Sequence, residues 1–283
     1  MLFANLLIGL REGLEAAMVV MILAAYLAKS GRQDLMRWVW VGVASAIAVT
    51  IATFCIIYFG TKTLTTVGQE IIGGIGSLIA VALVSYMLLW MRGASKNMKA
   101  ELEGKLEAAI AVGAGSVFVL AFMAVVREGI ETALLVFDTF AYGSTMTPTL
   151  GLSLGILIAV AVAVAMYYGA VRINLGTFFK VTGILLVVVA AGILRYGITD
   201  LQEAGLLPGL HTLAFDISNF IAPGTALATF IEGIFNLVPA PTLLSMIAWA
   251  VYLVVAMYLF LRPAPAPKPA KQEQQADTQS MAH

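Results

Sequence analysis

The chain alternates between long apolar runs and short polar stretches. A helix that crosses a bilayer needs roughly 17 to 25 mostly apolar residues. Seven runs meet this requirement, at residues 2–28, 38–59, 71–91, 108–142, 150–171, 178–194 and 242–261. The pattern therefore predicts an all-α integral membrane protein with seven transmembrane helices.

Composition strengthens this interpretation and excludes several classes of function. Apolar residues make up 61% of the 283-residue chain and charged residues only 11%, against about 25% charged residues in soluble domains. The formal net charge is zero, which argues against nucleic-acid binding. Cys55 is the only cysteine, and His211 and His283 are the only histidines, so an internal disulfide, cysteine-built metal sites and most imidazole chemistry are excluded.

The distribution of lysine and arginine predicts the orientation of the chain. Loops on one side of the predicted helices hold twelve of the 16 basic residues, whereas the other side holds only Lys62 and Arg195. Cytoplasmic loops carry the excess of positive charge. We therefore expect the N-terminus outside the cell and the C-terminus in the cytoplasm, which agrees with an odd number of crossings.

An internal repeat organises the predicted helices. The segment REGLEAA at 11–17 returns as REGIETA at 127–133, with five of seven positions identical. The copies fall in the first and fourth predicted helices, which run in opposite directions, so the sequence predicts two inverted three-helix repeats plus one extra C-terminal helix. The expected divisions are a first repeat at 1–92, a charged cytoplasmic loop at 93–107, a second repeat at 108–196, an acidic outer loop region at 197–241, a seventh transmembrane helix at 242–262 and a disordered cytoplasmic tail at 263–283.

The repeated motif places charge where charge is costly. At 100° per residue, Arg11, Glu12 and Glu15 share one helical face, beside a small-residue stripe that begins at Gly13. The six ionisable groups of the two copies would cost roughly 15 to 20 kcal/mol to insert without compensation. Ion pairs that lock two helices together are one explanation, but they would leave two carboxylates without a basic partner. A hard cation would balance them, and carboxylate oxygen suits iron, manganese, magnesium and calcium alike.

A resemblance narrows this choice. The two Arg-Glu-x-x-Glu motifs and the stretch LQEAGLLPG at 201–209 resemble the oxidase-dependent iron permease family, over roughly residues 1–262. The resemblance implies high-affinity uptake of ferrous iron through a bacterial cell membrane, with iron as the transported substrate, no organic cofactor, and oxidation by a separate extracytoplasmic oxidase or iron-binding partner. It implies that the iron ligands are Glu12, Glu15, Glu128 and Glu131, with Arg11 and Arg127 as counter-ions.

Other polar residues are candidates for the ion path. Asp138 lies seven residues after Glu131 on the same helical face. The acidic outer loop region receives iron in relatives, and here it contains Asp200, Glu203, His211, Asp216 and Glu232. We take Asp138, Glu203 and Asp216 as tentative members of the path.

Two other functions remain open from the residues alone. A proton-coupled transporter of another divalent cation, such as manganese, would share the same architecture. A membrane di-iron oxidase is less favoured, because such bundles generally use Glu-x-x-His motifs and no histidine occurs in the seven predicted spans. The chain is thus expected to be a transporter and not an enzyme, in an oligomeric state that the sequence leaves open.

Overall fold

The computed structural model of the chain describes residues 2–62, 65–94, 98–141, 146–170, 174–218, 220, 225 and 237–262, without the side chains of 61–62, 90–94, 98–99, 138–141 and 175. This part of the chain forms eight α-helices and one short 3-10 turn at Gln33–Leu35. The helices are α1 Leu2–Lys29, α2 Met36–Lys62, α3 Thr66–Ala94, α4 Met98–Val112, α5 Ala114–Ala141, α6 Met146–Tyr167, α7 Leu175–Glu203 and α8 Leu243–Leu261. The predicted tail at 263–283 lies outside the described residues.

Five helices, α2, α3, α6, α7 and α8, are long and apolar enough to cross a membrane. Helices α1 and α5 are also long enough, with 28 residues each, or about 42 Å of helix. They are not among these five helices, and each contains the three charged residues of one motif copy. The prediction of an all-helical, multi-pass membrane protein is therefore confirmed. The count of seven spans and the orientation of the termini stay predictions.

Residues 93–142 differ from the prediction in where helix begins and ends. The expected loop at 93–107 is largely helical, because α4 occupies Met98–Val112. Its sequence is rich in strong helix formers, and Lys105 Nζ lies 2.6 Å from Glu101 Oε1, one turn away. The predicted fourth run at 108–142 is broken at Gly113, whose φ of 132° favours glycine. Helix α5 starts immediately after this break.

The sixth predicted run, 178–194, is too short. Helix α7 continues to Glu203, so the expected boundary between the second repeat and the outer loop at 196 falls inside a helix. Arg195, expected in an outer loop, is instead buried in this helix with 2% of its surface exposed. The apolar side chain of Leu201 is also buried. It packs so closely on Gly74 of α3 that a Cβ added to this glycine would lie 2.6 Å from it. This packing stabilises the extension of α7.

The helices pack in a reciprocal arrangement. Helix α1 lies mainly against α6, α5 lies mainly against α2, and α3 lies against α7, while α1 and α5 also touch each other. Helix α8 covers α7 and α3, where Tyr252 Oη and Ser85 Oγ are 2.8 Å apart. The motif helices α1 and α5 are therefore side by side, each supported by the second helix of the opposite half of the chain.

Glycines permit the closest of these contacts. A Cβ on Gly155 of α6 would lie 2.6 Å from the backbone nitrogen of Leu10 and would collide with the Leu6 carbonyl oxygen. A Cβ on Gly42 of α2 would lie 2.8 Å from the carbonyl oxygen of Phe118 in α5. These approaches of backbone to backbone fix how α1 and α5 sit in the bundle.

Candidate metal centre

The first motif copy is buried within α1. Arg11 Nε lies 3.3 Å from Glu15 Oε1, and Arg11 Nη1 lies 3.9 Å from Glu12 Oε1. The exposed fractions of Arg11 and Glu12 are 1% each, and that of Glu15 is 7%. The spacing of one helical turn predicted from the sequence thus brings the guanidinium to both carboxylates of its own motif.

The second copy, on α5, is more open. Arg127 Nε donates a hydrogen bond to Glu131 Oε1 at 3.0 Å and lies 3.9 Å from Glu128 Oε1. The Arg127 side chain is 48% exposed, that of Glu131 is 22% exposed and that of Glu128 only 12%. The two copies therefore repeat the same ion pairs in different surroundings, and Glu128 is the member of the second copy that faces inward.

Three carboxylates from the two copies meet in the interior. One oxygen from each of Glu12, Glu15 and Glu128 lies within 4.8 Å of the other two. Oxygen ligands bind magnesium and calcium at about 2.0 to 2.6 Å, so ligands on opposite sides of such a cation are about 4 to 5 Å apart. The carboxylates are therefore already close to the separation that a hard cation requires. The fourth predicted ligand, Glu131, is near enough to repel Glu12 and Glu15.

The carboxylate oxygens of this cluster retain free coordination capacity. Neither Glu12 oxygen, nor Glu15 Oε1, nor Glu128 Oε2 has a hydrogen-bond partner among the described residues, although all four atoms are buried. Buried polar atoms normally have partners, and an unpartnered buried charge is costly. The four glutamates of the two motifs outnumber the two arginines by two, which leaves an excess of negative charge that a cation would balance.

The short ion pairs of the two motifs lie within single helices. The pairs that Arg11 and Arg127 form with the motif glutamates run within α1 and within α5, respectively. Small residues instead pack each motif helix against the second helix of the opposite half of the chain. A Cβ on Gly13 would lie 3.1 Å from the Ala159 Cβ on α6, and one on Gly129 would collide with the Thr50 hydroxyl on α2.

The tentative path residues lie apart from the buried cluster or outside the described structure. Glu203 is exposed at the end of α7, and Asp216 is exposed in the segment that follows. The Ser218 hydroxyl and backbone N–H donate hydrogen bonds to the Asp216 carboxylate and hold its pKa below the usual range. The Asp138 side chain and all of Glu232 lie outside the described residues, and His211 is exposed.

Sequence reasoning missed a polar network that joins the end of α7 to the start of α8. Gln202 Nε2 donates to the Pro208 carbonyl at 2.7 Å, and Thr242 Oγ1 donates to Gln202 Oε1 at 2.7 Å. Asp200, expected in the outer loop, is buried close by in the last turns of α7. The apolar side chains of Leu194, Ile198 and Leu201 recur at helical spacing, and this was the signal that these residues belong to a helix.

Fold and site together define a multi-pass membrane protein with a carboxylate site suited to a hard cation. Residues 2–264 match the Iron permease FTR1 family, and the chain belongs to that family. The family also confirms the prediction of a transporter and not an enzyme.

Named relatives match over almost their whole length. Ferrous iron permease EfeU of Yersinia pestis is 36% identical over 265 residues, which cover 93% of this chain and 94% of the relative. Ferrous iron permease EfeU of Escherichia coli O6:K15:H31 and of Shigella sonnei are each 34% identical, over 93% of this chain and 96% of the relative. No solved structure matches the chain.

Proposed function

We propose that the protein is a high-affinity iron permease that moves ferrous iron across the bacterial inner membrane into the cytoplasm through Glu12, Glu15, Glu128 and Glu131. The observation that carries the proposal is the meeting of Glu12, Glu15 and Glu128 within 4.8 Å, from motif copies 116 residues apart in the chain. Membership of an iron permease family and the similarity to ferrous iron permeases support the identity of the cation.

The proposed architecture has seven spanning helices, with α1 to α3 and α5 to α7 as inverted repeats. Reciprocal packing supports this arrangement. A two-fold axis that exchanges α1 with α5 and α2 with α6 turns the α1–α6 contact into the α5–α2 contact, and both are major interfaces of the bundle. The α1–α5 and α3–α7 contacts are mapped onto themselves. Helix α4 connects the repeats, and α8 lies outside them. In this arrangement the N-terminus of the chain is outside the cell.

Cations would reach the cluster from the side of Arg127 and Glu131. These side chains are the most exposed members of the two motifs, at 48% and 22%, whereas Arg11 and Glu12 are sealed from solvent. Glu131 would receive iron first and pass it to the three inner carboxylates. Oxidation of iron, where it accompanies uptake, belongs to a separate extracytoplasmic partner, because the cluster lacks the histidine ligands typical of di-iron oxidases.

Protons would replace the cation when the site is empty. Three or four carboxylates in a space of low dielectric constant repel one another strongly, so one or more of them binds a proton until a metal displaces it. Iron binding should therefore weaken as pH falls and release protons into a weakly buffered solution. Binding that is independent of pH and releases no proton would contradict this step.

The test of the proposed function is radioactive iron uptake in a host without its own iron importers. Glu12→Gln, Glu128→Gln and Glu131→Gln are compared with wild type at equal membrane abundance. The control is Glu101→Gln, which neutralises an exposed glutamate on α4 that pairs with Lys105. We expect uptake by wild type and the control and a loss of at least about tenfold in the three site variants.

Manganese as a competitor separates the iron permease from the alternative cation transporter. The all-oxygen ligand set would accept manganese as well as iron, and this is the observation that keeps the alternative open. Because a given site generally binds manganese more weakly than ferrous iron, we expect an equal concentration of manganese to leave iron uptake nearly unchanged. Equal competition by manganese, or full uptake by the glutamine variants, would overturn the proposed function.

A further inference from the structure

A large apolar groove runs along the bundle beside the carboxylate cluster. It lies between α1, α2, α5 and α6 and has a volume of about 880 Å³. Glu12 and Glu128 reach it from the interior, and Thr50 and Thr132 add hydroxyl groups near the same point. Apart from these and a few aromatic residues, aliphatic and small side chains form nearly all of its walls. A hydrated cation would find almost no ligands along this surface, so the groove is unsuited to be the iron path.

The length of the groove matches the dimensions of a bilayer. Along α2 it extends from Met36 to Phe54, and along α6 from Tyr168 to Leu152, which correspond to about 27 Å and about 24 Å of helix. The hydrocarbon core is about 30 Å thick, or about 15 Å for each leaflet. Glu12 lies twelve residues from Ala24 at one end of the groove, or about 18 Å, so the carboxylates meet the groove about one leaflet deep.

One end of the groove has the residues expected at the level of lipid headgroups. Trp40, Tyr167 and Tyr168 line it there and are 56%, 44% and 78% exposed. Tryptophan and tyrosine are enriched at this depth of a membrane. Two basic residues, Lys29 and Arg37, are exposed at the same end of the bundle, at the close of α1 and the start of α2, although neither lines the groove. Positive charge at this level of the membrane complements a lipid with an anionic headgroup.

We propose that the acyl chains of an anionic phospholipid occupy this groove and form the dry lateral wall of the carboxylate site. Since each leaflet is about 15 Å thick, the chains of one lipid occupy the part of the groove between its aromatic end and the carboxylates. The chains cover the apolar faces of α2 and α6, and the phosphate lies near Lys29 and Arg37. The lipid keeps water away from Glu12 and Glu128 on the side opposite to Arg127, which confines cation exchange to one route.

The groove can be filled from either wall without touching the motifs. Ile47 on α2 and Val164 on α6 both line it and are 51% and 49% exposed. Ile47→Trp and Val164→Trp each place an indole in the space of the lipid. Matched controls lie on α8, where Ile247 and Val255 are 51% and 50% exposed and do not line the groove. Ile247→Trp and Val255→Trp therefore add the same bulk to an ordinary lipid-facing surface.

The experiment measures the lipid that stays bound. The full chain is reconstituted in vesicles of equal parts phosphatidylglycerol and phosphatidylcholine, extracted in mild detergent and examined by native mass spectrometry. We expect one phosphatidylglycerol to remain on wild type and on both controls, and at least fivefold less on Ile47→Trp and Val164→Trp. Lys29→Gln combined with Arg37→Gln should remove the preference for phosphatidylglycerol while a lipid is still retained.

Three results would overturn the proposal. The first is that the wild type retains no lipid, and the second is that groove and control variants retain lipid equally. The third is that the groove variants lose a dimer and not a lipid, which would make the groove an interface between copies of the chain. Thermal unfolding of each variant in detergent confirms that it is folded, and the two walls are tested separately. No iron is present in these measurements, so their outcome is independent of the test of the proposed function.

Discussion

Gly155→Ala should disturb the carboxylate site from a distance by separating α6 from α1. The added Cβ would lie 2.6 Å from the Leu10 nitrogen and would collide with the Leu6 carbonyl oxygen. Carbon atoms in ordinary contact are about 3.5 Å from their neighbours, so the two helices must move apart by about 1 Å. The obstacle is backbone, so no change of rotamer relieves it. Overpacking of this kind costs about 1 to 3 kcal/mol.

The displaced helix is the one that carries Glu12 and Glu15. In enzymes, a misplacement of about 1 Å can cost about 10²-fold in rate, and a metal site with ligands about 2 Å from the ion is similarly demanding. We expect iron uptake by Gly155→Ala to fall about tenfold or more at equal membrane abundance, and the melting temperature of the purified protein to fall by several degrees. The assays are radioactive iron uptake in a host without iron importers and thermal unfolding in detergent.

The matched control is Gly76→Ala in α3. There the added Cβ would meet only the Phe137 ring, at 4.0 Å, and alanine favours a helix by about 0.5 to 1 kcal/mol over glycine. Uptake by Gly76→Ala should equal that of wild type, with unchanged or higher thermal stability. If Gly155→Ala transports iron as well as Gly76→Ala does, the close approach of α6 to α1 does not position the site, and the reasoning is wrong.

Two further predictions concern the motifs themselves. Gly129→Ala should reduce thermal stability and iron uptake because its Cβ meets the Thr50 side chain. Adding Thr50→Ala to the same chain should restore most of the stability and most of the uptake. A double variant no better than Gly129→Ala alone would contradict this contact. Arg11→Gln should cost about 3 to 5 kcal/mol of stability, since it leaves buried carboxylates uncompensated, whereas Arg127→Gln, at a side chain 48% exposed, should cost about 1 kcal/mol or less. Thermal unfolding of the two arginine variants measures the difference, and equal melting temperatures would show that the two motif copies share the same environment.

The ends of the helices are the part of the fold that the sequence patterns predicted least accurately. Run length and hydropathy located the long apolar helices but not α4, and they placed the end of the sixth run at 194, nine residues before α7 ends at Glu203. The charged and polar side chains of 195–203 made this segment resemble a loop. Arg195 and Asp200 are nevertheless buried, because packing against α3 and the network around Gln202 stabilise the helix there. Contacts with other helices decide such a boundary, and a window of hydropathy contains no information on them.

The sequence by itself determined the helical membrane class, the two charged motifs and the family. These properties depend on local features, namely apolar run length, the rarity of charge in those runs, and the one-turn spacing that pairs Arg11 with Glu15. The tertiary structure decided which carboxylates meet. It buried Glu12, Glu15 and Glu128 together and left Arg127 and Glu131 partly exposed, although the two motifs are nearly identical in sequence. The physical reason is that burial depends on the neighbouring helices, and a seven-residue motif does not specify which helices will cover it.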